Sequence, residues 1–339
     1  MSALNRVRPA CARRGLATSR AAAQPRTSLR ALLRQEAADH RARQAAFGQY
    51  MRLAPGTLRA SKPAPRAPSL ESVPAHIARP PYAESGTPPR WPTRIPILAA
   101  DEVARMRAAA RIARDALALG GRMVRPGVTT AAIDAAVHRF IVAQGAYPSC
   151  LNYMGFPRAI CTSVNNVIAH GIPDARALAD GDIVNIDVTV YKDGFHGDTS
   201  ATFAAGGVDR RGLELVEATR EALRAAIRAC GPGVPFAAIG RAVEALVAPL
   251  GYSVSEELTG HGIGRDFHQN PLVYHHANDH PGAMEPGMAF TIEPIVCQGA
   301  AAGVQWPDGW TVSTADGGRA AQFEHTLVIT QGGAEVLTE

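Results

Sequence analysis

Downstream of residue 95 the apolar positions fall into two rhythms. In "AADEVARMRAAARIARDALALGGRMV" they recur at three- and four-residue spacing behind Asp101. That spacing predicts a helix over roughly 101–119, ended by Gly120 and Gly121. From residue 180 the rhythm tightens: "DGDIVNIDVTVYKDGFHGDTSATF" (180–203) reads as two apolar strands joined by a turn. Each strand carries an aspartate, Asp187 and Asp198, where a hydrophobe would fit. "FTIEP" (290–294) supplies Glu293, and "AQFEHTLVI" (321–329) places Glu324 among apolar strand neighbours. Upstream, residues 62–98 hold too many prolines for a helix or a central strand and read as an extended arm. The expected organisation is therefore a leader over 1–60, an arm over 61–94, and a globular body from about Ile95 to residue 339.

The body repeats itself. "PGVTTAAIDAAV" (126–137) matches "PGVPFAAIGRAV" (232–243), and "DGDIVNID" (180–187) matches "PGMAFTIE" (286–293), both at an offset of 106 residues. A shared offset in two separate words points to a duplicated helix-plus-strand unit, with halves of about 95–205 and 206–339. The aligned strands end on Asp187 in one copy and Glu293 in the other, so a pseudo-two-fold would bring two carboxylates together. If the turn "YKDG" (191–194) closes as a two-residue loop centred there, Asp187 and Asp198 face each other. A bulged three-residue loop would shift that register.

Close, desolvated carboxylates repel unless a cation sits among them. "LTGHGIGRDFHQNP" adds His261 and His268, set among glycines that let backbone approach a ligand. Four carboxylates with one imidazole suit a pair of divalent ions such as Mn, Fe, Co or Zn better than a lone structural zinc. Taken singly each signal is ordinary: a strand acid often marks an edge or an ion pair, and His170 in "NVIAHGIPD" could be a plain loop histidine.

Charge changes the picture only at the N-terminus. Residues 1–90 hold sixteen Arg or Lys against four acids, a net of +12 in a chain of net +5, so the body is acidic. The basicity belongs to a tail without aromatic interleaving, which argues against direct nucleic-acid binding. The first thirty-five residues contain eight arginines and no acid, the composition of an organelle transit peptide; a merely disordered basic terminus is the alternative. No apolar run is long enough for a membrane span. The five scattered cysteines lack any CxxC, which argues against a disulfide framework or a zinc finger.

The ordered set resembles the type I methionine aminopeptidases over roughly residues 95–339. It is carried by "YPSCLNYMGFPRAICTSVNNVIAHGIPD", "GHGIGRDFHQNP", "EPGMAFTIEP" and "WPDGWTVSTADGGRAAQFEHT" together with the 180–203 segment. The resemblance implies the α/β (α+β) pita-bread fold, in which duplicated half-domains share a central antiparallel sheet covered by helices. It implies metal ligands at Asp187, Asp198, His261, Glu293 and Glu324, with Asp198 and Glu324 bridging two ions. It gives His170 and His268 contacts to the scissile peptide, makes Glu293 a proton shuttle, and puts a metal-bridging hydroxide in the role of nucleophile. It implies a methionine pocket of Cys150, Tyr153, Phe156, Cys161, Phe267 and Trp306, where soft sulfur and ring edges suit a thioether. The expected substrates are nascent polypeptide N-termini with a small second residue, met at an organellar ribosome by a monomer that touches no membrane. "SLRALLRQ", with arginines on one side of a short helix, favours a mitochondrion over a plastid. Proline-specific relatives of the same fold would carry a large extra N-terminal domain, and a non-enzymatic relative would have lost ligands.

Overall fold

The computed structural model describes residues 29–55 and 72–339. The chain divides into two compact units, Met1–Arg41 and Ala42–Glu339. Residues 1–28 and 56–71, which hold just over half of the expected leader and the start of the expected arm, lie outside the described residues. Helix α1 spans Leu29–Phe47, within the 1–60 stretch read from the sequence as a leader. In the first unit Gln35 donates to Asp39 across one turn, at 2.8 Å.

Four further helices, α2 (Ala100–Met123), α3 (Thr130–Ala143), α4 (Arg210–Arg228) and α5 (Ala237–Val247), cover a nine-stranded sheet. Its strands are β1 (Tyr147–Pro148), β2 (Cys161–Val164), β3 (Asp182–Lys192), β4 (Phe195–Ala205), β5 (Gly260–Gly262), β6 (Gln269–Val273), β7 (Ala289–Ile292), β8 (Glu324–Thr330) and β9 (Gly333–Val336). They run in the order β1-β3-β4-β8-β7-β5-β6, with β2 also on β3 and β9 on β8, and every pairing is antiparallel.

The duplication is visible in hydrogen bonds. Gly127 N donates to Leu178 O and Leu178 N to Val128 O; 106 residues on, Gly233 N donates to Met284 O and Met284 N to Val234 O, all at 2.8–2.9 Å. Gly127, Gly145 and Gly181 take positive φ, and so do Gly233, Gly251 and Gly287 at the same offset. Each copy builds its own core. Ile133, Val137, Ile141 and Ile186 pack in the first, and Leu215, Leu223, Ile239 and Phe290 in the second.

Three expectations change. Helix α2 passes through Gly120 and Gly121 to Met123. These glycines serve as contact points: a Cβ on Gly121 would run into the Phe203 ring, and one on Gly120 would lie 3.3 Å from Ile186. The β3–β4 turn is centred on Asp193-Gly194, one residue later than expected, with Lys192 opposite Phe195. Both turn residues have positive φ (51° and 87°), as a type I′ hairpin requires. Asp187 therefore faces Ser200 and Asp198 faces Thr189, so the two aspartates are diagonal neighbours on one face. Finally, the body begins before Ile95. Leu53, Val73, Ile77, Tyr82 and Ala83 are all buried. Leu53 exchanges two hydrogen bonds with the Asn166 side chain (2.7 and 2.9 Å). Fully buried Arg319 donates to Phe47 O and Asp209, and lies over the Tyr50 ring.

Candidate metal centre and substrate cavity

Five consecutive strands of the sheet each deliver one candidate ligand. In sheet order they are Asp187 on β3, Asp198 on β4, Glu324 at the start of β8, Glu293 just past β7, and His261 on β5. Donor atoms of Asp198, His261 and Glu324 all lie within 4.8 Å of one another. His261 Nε2 stands 3.7 Å from Asp198 Oδ2 and 3.6 Å from Glu293 Oε1. Burial pushes the His261 ring down to about 4, leaving it neutral at ordinary pH.

Buried threonines aim the carboxylates. Thr189 Oγ1 donates to Asp198 Oδ1 (2.7 Å), and Thr291 Oγ1 donates to Glu293 Oε1 (2.8 Å) while accepting from His261 N (3.0 Å). Gln322 Nε2 donates to Glu293 Oε2 (3.1 Å), and Glu293 N donates to His275 Nε2 (2.9 Å). The sequence signal for this layer was faint: hydroxyls inside otherwise apolar strands ("DVTV", "FTIE").

The carboxyls form the floor of a cavity of about 540 Å³. Among the described residues no lysine or arginine lines it, and Asp187 Oδ1 is buried without a hydrogen-bond partner. Without a cation the group holds protons. Burial first, and then mutual repulsion, push Glu293 up to about 8 and drive Asp198 and Glu324 well above the carboxylate range. Burial alone raises Asp187 to about 7, against its hydrogen bond with Asp198. Acids gathered at this density with an orphaned oxygen, a neutral imidazole beside them and no lysine or arginine among the described lining residues fit divalent cations.

The cavity wall is where the thioether-suited residues meet. Cys150, Tyr153, Phe156, Cys161 and Phe267 form one buried cluster with Tyr82. Tyr153 and Phe267 are in ring contact at 4.8 Å, and His268 Nδ1 lies 2.9 Å from Tyr153 Oη. His170, at φ 55°, also lines the cavity. Trp306 does not. Its ring packs in the first-copy core, and Nε1 donates to Ser313 Oγ (2.9 Å). Trp310, four residues on, takes the wall position, edge-on to Phe156 at 5.1 Å. The turn between them (Gly309 N to Trp306 O, 3.0 Å) reverses the chain, so the two tryptophans leave on opposite sides. Sequence reasoning also missed the arm, which brings Pro88 and Trp91 to the cavity.

Residues 104–331 match the model for metallopeptidase family M24. The chain belongs to metallopeptidase family M24. It is 52% identical over 267 residues to methionine aminopeptidase 1B, chloroplastic, of Arabidopsis thaliana, covering 79% of this chain and 72% of that one. It is 48% identical over 271 residues to methionine aminopeptidase 1D, mitochondrial, of Homo sapiens, covering 80% and 81%. The crystal structure of methionine aminopeptidase from Rickettsia prowazekii superposes with a TM-score of 0.71 at 40% identity, covering 73% of this chain and 100% of that one. The type I resemblance and its organellar branch are thus borne out, and the fold is the pita-bread arrangement. As an M24 member the chain is a hydrolase that depends on divalent metal, and Asp198, His261 and Glu324 form a group that could hold such an ion.

Proposed function

We propose that the chain removes the initiator methionine from nascent proteins whose second residue is small. One observation carries the reading. The five-strand ligand set forms the floor of the same cavity whose wall holds two cysteines and a cluster of aromatic rings. Sulfur and ring edges favour a thioether over a charged or branched side chain.

We assign Asp187, Asp198, His261, Glu293 and Glu324 to two divalent cations, drawn from Co, Mn, Fe or Zn. Such ions supply a water acidified to near neutrality and positive charge for the carbonyl oxygen. The chain's own groups do the rest. Glu293, held at both oxygens by Thr291 and Gln322, takes and returns the proton that ends on the departing amine. Tyr153, pushed up to about 12 by burial, keeps its proton, and we assign its hydroxyl as the hydrogen-bond donor to His268 Nδ1, 2.9 Å away. His268 then carries its own proton on Nε2, where it can donate to the carbonyl as negative charge develops. To His170, which lines the same cavity and is neutral because burial lowers it, we assign the contact to the scissile nitrogen.

The partners we propose are peptide N-termini emerging in an organelle, a mitochondrion in preference to a plastid, acted on by a monomer. No described helix is long and apolar enough to cross a membrane. Release of free methionine from Met-Ala-Ser, abolished by EDTA and restored by divalent metal, tests the activity. Preferential cleavage of an Xaa-Pro peptide would overturn it. Imaging residues 1–90 fused to a fluorescent protein tests the address.

A further inference from the structure

Three large apolar side chains stay open to solvent around one opening: Trp91 (42% exposed), Met154 (62%) and Leu272 (39%). All three line the cavity that holds the carboxyl cluster, and they come from three separate parts of the chain. Trp91 belongs to the arm, Met154 to the turn after Cys150, and Leu272 to β6. Exposed apolar groups scattered singly need no explanation, but three converging at the rim of a substrate cavity form a contact surface.

The arm is held in place there. Asn270 Nδ2, two residues from Leu272, donates to Pro92 O (3.1 Å) beside Trp91. Further back, Tyr82 Oη donates to Ser149 O (2.6 Å), and its ring meets Tyr153 edge-on at 4.9 Å. Met154 is fixed at φ 50°, which turns it outward while its neighbour Tyr153 faces the cluster. A peptide seated with its first side chain in the cysteine-lined pocket must leave through the cavity mouth, past this rim.

Resting on the aminopeptidase reading, we propose that Trp91, Met154 and Leu272 form an apolar platform for the third and fourth residues of the substrate. The arm thereby extends the chain's selectivity beyond the small second residue, favouring apolar over polar side chains at those two positions.

The experiment compares kcat/KM of the metal-loaded full chain on Met-Ala-Leu-Leu and Met-Ala-Ser-Ser. The wild type is expected to prefer the leucine peptide roughly tenfold, the ratio that follows from covering about 50 Å² of apolar surface. In Trp91→Ala the ratio should fall towards one, through KM, and Trp91→Phe should recover most of it. A variant that merely loosened the fold would lower both peptides together and leave the ratio intact, which would overturn the platform. So would a wild-type ratio near one. Methionine released without any Trp91-dependent preference removes the platform alone; no methionine released from either peptide removes the aminopeptidase reading and the platform with it.

Discussion

Thr189→Val is the most incisive test of how the centre is held. Valine has nearly the shape of threonine, so the substitution removes one hydroxyl and little else. That hydroxyl donates to Asp198 Oδ1 at 2.7 Å and lies 3.9 Å from the Cys150 sulfur, and Thr189 is fully buried. Water has no room to replace it. A hydrogen bond to a charged carboxylate contributes about 1.5–3 kcal/mol, so metal affinity should fall roughly 10- to 100-fold. Under fixed metal, the stabilisation that binding confers should shrink by a similar free energy, about 3–8 °C in Tm for a chain of this size. Calorimetric titration of the EDTA-stripped protein with Mn or Co gives the affinity directly, and thermal melts with and without metal give the second measure. A change in affinity below threefold would show that Asp198 does not need Thr189 to be presented, and the account of the threonine layer would fail.

The two tryptophans should separate cleanly: Trp310→Ala should raise KM for methionine peptides about tenfold with little change in Tm, whereas Trp306→Ala should cost about 3–5 kcal/mol of stability in denaturant melts. Gly262→Ala would press a Cβ into the Asn270 carbonyl beside His261, so metal affinity should fall about 10- to 100-fold; unchanged binding would mean that β5 can yield. The metal-free protein should also lose stability as pH rises. Asp187 and Glu293 titrate at about 7 and about 8 when folded but near 4 when unfolded. The native state therefore binds more protons across that window, and their contribution, complete below pH ~4, is lost as pH passes 7–8. Tm of the EDTA-treated chain should fall between pH 5.5 and 8.5, and divalent metal should restore it most at the alkaline end; a flat profile would refute the linkage.

The acids were legible because a charged residue inside an apolar strand conflicts with its surroundings, and four such conflicts in order are hard to produce by chance. The duplication was legible for a related reason: turns that need positive φ keep their glycines, as Gly127 and Gly233 do. Register was not, because a hairpin one residue out of phase differs only in which two residues carry left-handed backbone. Trp306 and Trp310 sit four apart in one loop, and nothing local says which faces the core. Over its described residues, 72–98, the arm forms neither α-helix nor central strand, as its prolines led one to expect, yet they concealed Tyr82 and Trp91, whose importance comes from what they touch across the fold.

The order of the sheet has a consequence for how the chain comes into being. Its central seam joins β4 to β8, with Glu324 opposite Ser200, so residues more than a hundred apart in sequence must meet before the acids are assembled. As the chain is synthesised, or threaded through a translocase and refolded, the first copy can form its hairpin early. It remains chemically inert until the strand bearing Glu324 has emerged and docked. Pairings of such long range are slow to form. The chain's own maturation should therefore be limited by seam closure, and a nascent copy would exert no peptidase action on its neighbours until that step is complete.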